Sequence, residues 1–350
     1  MKSFMKSMAI VLAAAVLLSS LSACDSNNSS GKVETVKIGV TVYRKDDTFV
    51  TSLCAYLEKV SKEKETETGK KIVINIVDGQ SSQALQNDQV DSFISQNYNV
   101  ICVNMVDRTA AAVIVDKVKA ANIPVVFFNR EPVEEDLRMW NRAYYVGADA
   151  AESGRLQGEI IANAFKKDRK QIDKNGDGKI QYVMLEGEQG HQGALLRTEY
   201  SIKAVTNAGI QVEKLANDTA NWQRAQGSAK MAQWLAKLGD RIEVVFSNND
   251  DMALGAIDTL KESKLKVKPV VVGIDATENG INAIEDGGMF GTVFNDAQGQ
   301  AKAMFDLSYC VASGKDPADV VNLESSHYVR VPYRAVTKVN AEEILQSLRG

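Results

Sequence analysis

Histidine and proline are scarce in this sequence, and the shortages are informative. Two histidines, His191 and His327, leave no room for a multi-histidine metal centre. Five prolines exclude a proline-rich or collagen-like chain. Four cysteines at uneven spacings, with no C-x-x-C pair, exclude a disulfide scaffold and a cysteine-type zinc site. No charge sign dominates: 41 basic against 45 acidic residues leave −4, so no basic field speaks for nucleic acid. Neither G-x-x-x-x-G-K-[ST] nor G-x-G-x-x-G occurs, and the glycines of GEQGHQG (187–193) match neither spacing, so a phosphate cradle is missing. What remains, 45% hydrophobic and 25% charged over 350 residues, is a globular chain of roughly two domains' length.

The N-terminus reads as an address. Lys2 and Lys6 precede an apolar run from Met8 to Leu18 and then the small-residue stretch Ser19 to Cys24, the pattern of a secretory signal peptide over 1–23. The run is short for a membrane span, and nothing later offers about eighteen consecutive apolar residues. Leu21-Ser22-Ala23-Cys24 resembles the bacterial lipobox, in which the cysteine is lipidated. Acyl chains on Cys24 would anchor the protein to the membrane, each buried CH₂ contributing about 0.8 kcal/mol. The polar segment that follows, within 24–35, suits a flexible tether. Removal of 1–23 deletes two lysines and no acids, taking the charge from −4 to −6. Cys54, Cys102 and Cys310 then remain among apolar neighbours, and are expected to be buried free thiols.

From Val36 onward, short Val/Ile-rich runs alternate with amphipathic segments. Strands are expected at Val36–Tyr43, Lys71–Asp78, Val100–Met105 and Pro124–Asn129. Phe49, Leu53, Leu57 and Val60 recur at helical spacing, as do Val113, Ile114, Val118 and Ala121. After 144–149 the pattern restarts, with strands at Ile180–Gly187, Ile210–Leu215, Glu243–Asn248, Pro269–Asp275 and Phe290–Asn295. Continuous apolar strands between helices imply parallel sheets covered on both faces, here in two doubly wound α/β lobes. The charged run KEKETETGKK (62–71) reads as a solvated helix end.

In such sheets a ligand binds beyond the carboxyl ends of the strands. Those ends carry Tyr43 and Asp46-Asp47, Asn129-Arg130-Glu131, Asn248-Asn249-Asp250, Asp275, and Asn295-Asp296. Asn and Asp are also ordinary helix N-caps, but five strand ends converging from two lobes point to a polar cleft. Carboxylates and amides together supply acceptors and paired donors, which suits a neutral ligand with neighbouring hydroxyls. Catalysis fits poorly, because neither histidine lies in a nucleophile motif such as G-x-S-x-G.

DKNGDGKIQ (173–181) matches a calcium loop of the EF-hand type through nine positions. Asp173, Asn175, Asp177 and Gln181 supply oxygens, Gly178 makes the sharp turn, and Lys179 donates only its backbone carbonyl. The twelfth position, which requires a carboxylate, is Met184, so an acidic residue must come from elsewhere.

GVTVYRKDDTF, PVVFFNREP, AYYVGAD, DKNGDGKIQ, GHQGALLRT, DTANW, EVVFSNNDDMALGA, GIDA, GTVFNDAQGQAKAMFDL and VRVPY follow one another from about Val36 to Val336. In this order they resemble the galactose/glucose-binding type I periplasmic binding proteins of bacterial sugar uptake. The resemblance implies a monosaccharide sandwiched between Phe49 and Trp222, with polar contacts from Asp47, Asn129, His191, Arg197, Asn249, Asp275 and Asn295. It implies Ca²⁺ in the 173–181 loop, completed by Glu243. It further implies two lobes, 36–147 plus 296–330 and 148–295 plus 331–350, joined by three hinge segments near 147–149, 295–296 and 330–333. An ABC transporter permease is the implied partner, and a chemoreceptor a second one; a lipoprotein that serves sensing alone is the alternative. A sugar-responsive regulator of the same fold would carry a helix-turn-helix in place of the signal and tether. One departure stands out: the family places a ligand-binding aspartate where this chain has Gly193. Loss of one charge-assisted bond costs about 1.5–3 kcal/mol, ten- to a hundredfold in affinity, unless a water or neighbouring group compensates or the ligand differs near its anomeric end.

Overall fold

The strands lack the in–out alternation of a half-exposed sheet because both faces are covered. In a computed structural model, which describes residues 35–349, the strands Val100–Val103, Val125–Phe128, Val244–Ser247 and Gly291–Phe294 are buried at every position. The leader, Cys24 and the tether up to residue 34 lie outside the described residues, as does Gly350.

Two six-stranded sheets carry the architecture. The first is built from β1 (Val36–Val42), β2 (Ile72–Asp78), β3 (Val100–Val103), β4 (Val125–Phe128), β5 (Ala143–Gly147) and β11 (Tyr328–Arg330), in the order β11-β5-β4-β3-β1-β2 and all parallel. The second holds β6 (Lys179–Glu186), β7 (Gln211–Thr219), β8 (Val244–Ser247), β9 (Val270–Val272), β10 (Gly291–Phe294) and β12 (Arg334–Thr337), in the order β12-β10-β9-β8-β6-β7. Only β12 runs antiparallel there.

Helices α1 (Thr48–Thr68) and α11 (Ala297–Ala312) cover one face of the first sheet, through Leu53, Leu57, Met304 and Phe305. Helices α2 (Gln83–Ser95), α3 (Ala111–Ala120) and α4 (Glu134–Arg138) cover the other. In α3 the buried stripe is Ile114, Val115 and Val118, while Val113 is 47% exposed. Val113, grouped with Ile114 and Val118 in the sequence pattern, falls outside the core: at about 100° per residue Ala111, Ile114, Val115 and Val118 share one face of α3, and Val113 lies on the far side. On the second sheet, α5 (Ala150–Lys167), α6 (Arg169–Ile172) and α7 (Gln192–Asn207) pack on one side. Helices α8 (Arg224–Leu238), α9 (Asp250–Glu262), α10 (Glu278–Glu285) and α12 (Ala341–Arg349) pack on the other.

The chain passes between the sheets three times, after Gly147, after Phe294 and after Arg330. Three strands went unread in the sequence, β5 as a strand proper and the short β11 and β12, while β7 runs four residues past the expected Leu215. Of the three cysteines, Cys102 and Cys310 are buried, whereas Cys54 is only half-buried, on the flank of α1.

Candidate functional site

The carboxyl ends of both sheets open into one cleft of about 1220 Å³, and all nine residues named for ligand contact, Asp47, Phe49, Asn129, His191, Arg197, Trp222, Asn249, Asp275 and Asn295, line it. Lobe 1 brings Asp47, Phe49 and Asn129; the rest come from lobe 2 and the second crossing.

Three of the nine are helix N-caps. Asp47 Oδ1 accepts from Val50 N at the head of α1, His191 Nδ1 from Ala194 N at the head of α7, and Asn249 Oδ1 from Met252 N at the head of α9. Capping uses one polar atom of each; Asp47 Oδ2 also accepts from Tyr43 Oη and Asn249 Nδ2 donates to the Trp222 carbonyl, which leaves a lone pair, an amide hydrogen and His191 Nε2 for the cleft. For His191 the cap also sets the tautomer. Nδ1 is the acceptor, so Nε2 carries the proton and is the ring's donor. Burial, then the guanidinium groups of Arg130, Arg197 and Arg108, hold its pKa well below the ordinary histidine value, keeping the ring neutral.

Trp222 lies 7% exposed with φ 66°, a left-handed backbone that a bulky residue adopts only under constraint. Its ring rests on the Gly187 backbone, where any Cβ would fall 2.1 Å from it. The His191 ring stands edge-on to it at 5.0 Å between centroids, and Asn249 Nδ2 donates to its carbonyl at 3.1 Å. Asn129 also takes φ 59°, its Oδ1 accepting from Asn104 Nδ2, which leaves its own amide hydrogens for the cleft.

Arg197 is buried. Nη1 donates to Asn248 O at 2.8 Å and Nη2 to Tyr333 Oη at 3.1 Å, with the Asp275 carboxylate 3.8 Å away. Burial works against its charge, and Tyr333 and Asp275 more than offset that. Burial pushes the Asp275 carboxyl up to about 7, although Arg197 and the Asn295 amide pull it down. Helix α7 can bring Arg197 this deep because α5 presents glycine to it: a Cβ on Gly158 would sit 2.1 Å from Ser201 O, and one on Gly154 2.8 Å from Arg197 O.

Two buried polar atoms of cleft-lining residues have no hydrogen-bond partner in the protein, the donor Arg197 Nε and the acceptor Gln300 Oε1. Tyr333, Gln300 and Glu188 join the lining without having been singled out in the sequence. Tyr333 and Gln300 act through Arg197 and Asn295, partners 136 and 5 residues away, and no local pattern marks them. Gly193 lines the cleft beside His191; a Cβ there would lie 2.9 Å from His191 Cε1.

The 173–181 loop folds through successive side-chain turns. Asp173 Oδ1 accepts from Gly176 N, Asn175 Oδ1 from Asp177 N, and Asp177 Oδ1 from Lys179 N. Glu243, from the strand-entry position beside Gln181, accepts from Lys174 N, Asn175 N and Gln181 N. The hard oxygen donors suit a cation such as calcium, and Glu243 reaches the loop from afar. Yet each carboxylate is occupied by N–H donors, Asp173 by Arg169 Nε at 2.7 Å, and among the described residues no three acidic, histidine or cysteine side chains converge as a metal site.

A family model described as a periplasmic binding protein domain matches residues 38–316. The D-galactose/methyl-galactoside binding periplasmic protein MglB of Haemophilus influenzae is 41% identical over 313 residues, covering 89% of this chain and 92% of that protein. A putative rhizopine-binding protein of Rhizobium meliloti is 33% identical over 342 residues, covering 97% and 98%. A solved ABC transporter solute-binding protein of Bacillus halodurans with bound myo-inositol is similar with a TM-score of 0.75 at 29% identity, covering 91% of this chain and 99% of its own.

Proposed function

Because the chain belongs to the periplasmic binding protein domain family, whose members bind solutes and do not turn them over, we infer that it captures a neutral monosaccharide outside the cytoplasm. The observation that carries this reading is the lining of the cleft: Asp47, Asn129, His191, Arg197, Asn249, Asp275 and Asn295 offer donors and acceptors from both lobes and the second crossing, beside the rings of Phe49 and Trp222. Sugar hydroxyls donate and accept at once, and flat aromatic faces cover the C–H faces of a pyranose ring. We take galactose or a methyl-galactoside as the ligand, following the MglB relative, with glucose added by the family resemblance. The loaded protein hands it to an ABC permease, with a chemoreceptor as a second client. Cys24, outside the described residues, is the proposed lipid anchor. Calcium is the proposed ion for Asp173, Asn175, Asp177, Gln181, Glu243 and the Lys179 carbonyl, where it would clamp the loop to β8.

Closure traps the ligand because residues from both lobes contact it only when the cleft is shut. Isothermal titration of the purified protein with galactose, glucose, methyl-galactoside and myo-inositol tests the assignment. Micromolar or tighter binding of a galactose-type sugar is expected; binding of none of the four would overturn it.

A further inference from the structure

Besides Gln300 and Asn295 at the second crossing, two side-chain pairs among the described residues bridge the lobes beside the cleft, and one of them is built into the cleft wall. Arg130, at the end of β4, donates from Nη2 to Glu188 Oε2 at 2.6 Å across a separation of 58 residues. The other is Thr48 Oγ1 to Asp251 Oδ2 at 2.5 Å.

Arg130 also has anchors within its own lobe. Its guanidinium lies flat over the Tyr43 ring at 3.5 Å, and Nη1 donates to Val106 O at 3.1 Å, leaving its side chain 6% exposed. Tyr43 in turn donates to Asp47 Oδ2 at 2.6 Å, so the same array positions a cleft carboxylate. Glu188 stands opposite on the turn between β6 and α7, where its carbonyl accepts from His191 N at 3.1 Å. A single turn thus ties the Glu188 carboxylate to the cleft imidazole. The chain of contacts Asp47–Tyr43–Arg130–Glu188–His191 runs from a polar group of one lobe to a polar group of the other.

We propose that Arg130 and Glu188 form an interlobe latch, which holds the cleft closed and sets Asp47 and His191 in register across it. The pair is a positioning device; neither residue is assigned a ligand contact. The inference rests on the sugar-binding reading for its kinetic consequence, but not for the conformational one. Breaking a partly desolvated pair loosens the closed cleft, so it speeds release more than it alters capture.

The test uses Glu188→Gln, Arg130→Gln and the double variant. Stopped-flow measurement should show sugar release faster by about ten-fold or more in each single variant, with association altered less than about three-fold. The double variant should be no faster than the worse single one, because the second substitution removes a partner already lost. Release at the wild-type rate, or effects that multiply in the double variant, would overturn the latch. Small-angle scattering without sugar separates the two readings: Glu188→Gln should have a larger radius of gyration than wild type. An equal radius counts against the latch. A larger radius in a protein that binds no sugar supports the latch and defeats the ligand assignment alone.

Discussion

Asn295 and Asp275 are bonded to each other twice, side chain to side chain and backbone to backbone. Asn295 Nδ2 donates to Asp275 Oδ1 at 3.1 Å, and Asn295 N donates to the Asp275 carbonyl at 3.1 Å. The carboxyl so held is raised by burial to about 7. Its folded value therefore stands above the ordinary unfolded one, near 3.9, and its stabilising contribution to the sugar-free protein is present below about pH 4 and lost as pH rises through 7. Sugar hydroxyls donate best to the ionised form. Affinity should rise by up to about ten-fold between pH 6 and pH 8, and Asp275→Asn should flatten the profile. Calorimetry at pH 6, 7 and 8 checks this, and a flat wild-type profile refutes it.

Phe49 serves the cleft and the core of the first lobe together. Phe49→Leu keeps most of the buried volume and removes the flat ring. The melting temperature should move only slightly, while affinity falls by about ten-fold. An unchanged dissociation constant would remove Phe49 from the ligand surface.

Gly193 tests the departure from the family pattern. Gly193→Asp must displace the His191 ring by a few tenths of an ångström, since its Cβ would otherwise lie 2.9 Å from Cε1. The added carboxylate should favour free hexoses over methyl-galactoside by about ten-fold relative to wild type. If the ratio of affinities is unaltered, this position does not face the anomeric end.

Calcium should raise the melting temperature and EDTA lower it, because binding to the folded loop alone stabilises the protein by mass action. Glu243→Gln should abolish the response. The ion must draw Asp173 away from Arg169, so Arg169→Gln should increase the calcium-induced shift. No response to calcium in wild type rules the ion out.

Helix approach is set by Gly158, with Ser201 O and Ala204 Cβ at 2.1 and 2.7 Å from any Cβ placed there. Gly158→Ala should cost about 1–3 kcal/mol in denaturant unfolding. Because α7 carries both His191 and Arg197, sugar affinity should fall with it.

The layered α/β plan was legible because strands covered on both faces are runs of Val and Ile that no amphipathic pattern imitates. Strands of three and four residues such as β11 and β12 carry too few positions to show a period. Asp47, Asn129, Asn249, Asp275 and Asn295 were legible as strand-end polar residues; His191, Arg197, Phe49 and Trp222 needed the family resemblance. Glu188 and Tyr333 were out of reach, since their partners Arg130 and Arg197 lie 58 and 136 residues away. Arg130 and Tyr43 stood at strand ends, but only the folded chain shows that one stacks on the other.

Helix α11 and strand β11 belong to the first sheet although they follow five strands of the second, β6 to β10, in the chain. Until they emerge from the ribosome, Leu53 and Leu57 lack Met304 and Phe305 to pack against, and β5 lacks its outer neighbour. The first sheet therefore cannot condense fully until residues 297–330 have been made. A polypeptide that stays loose for so long is a thread, and a thread is what a narrow export channel admits.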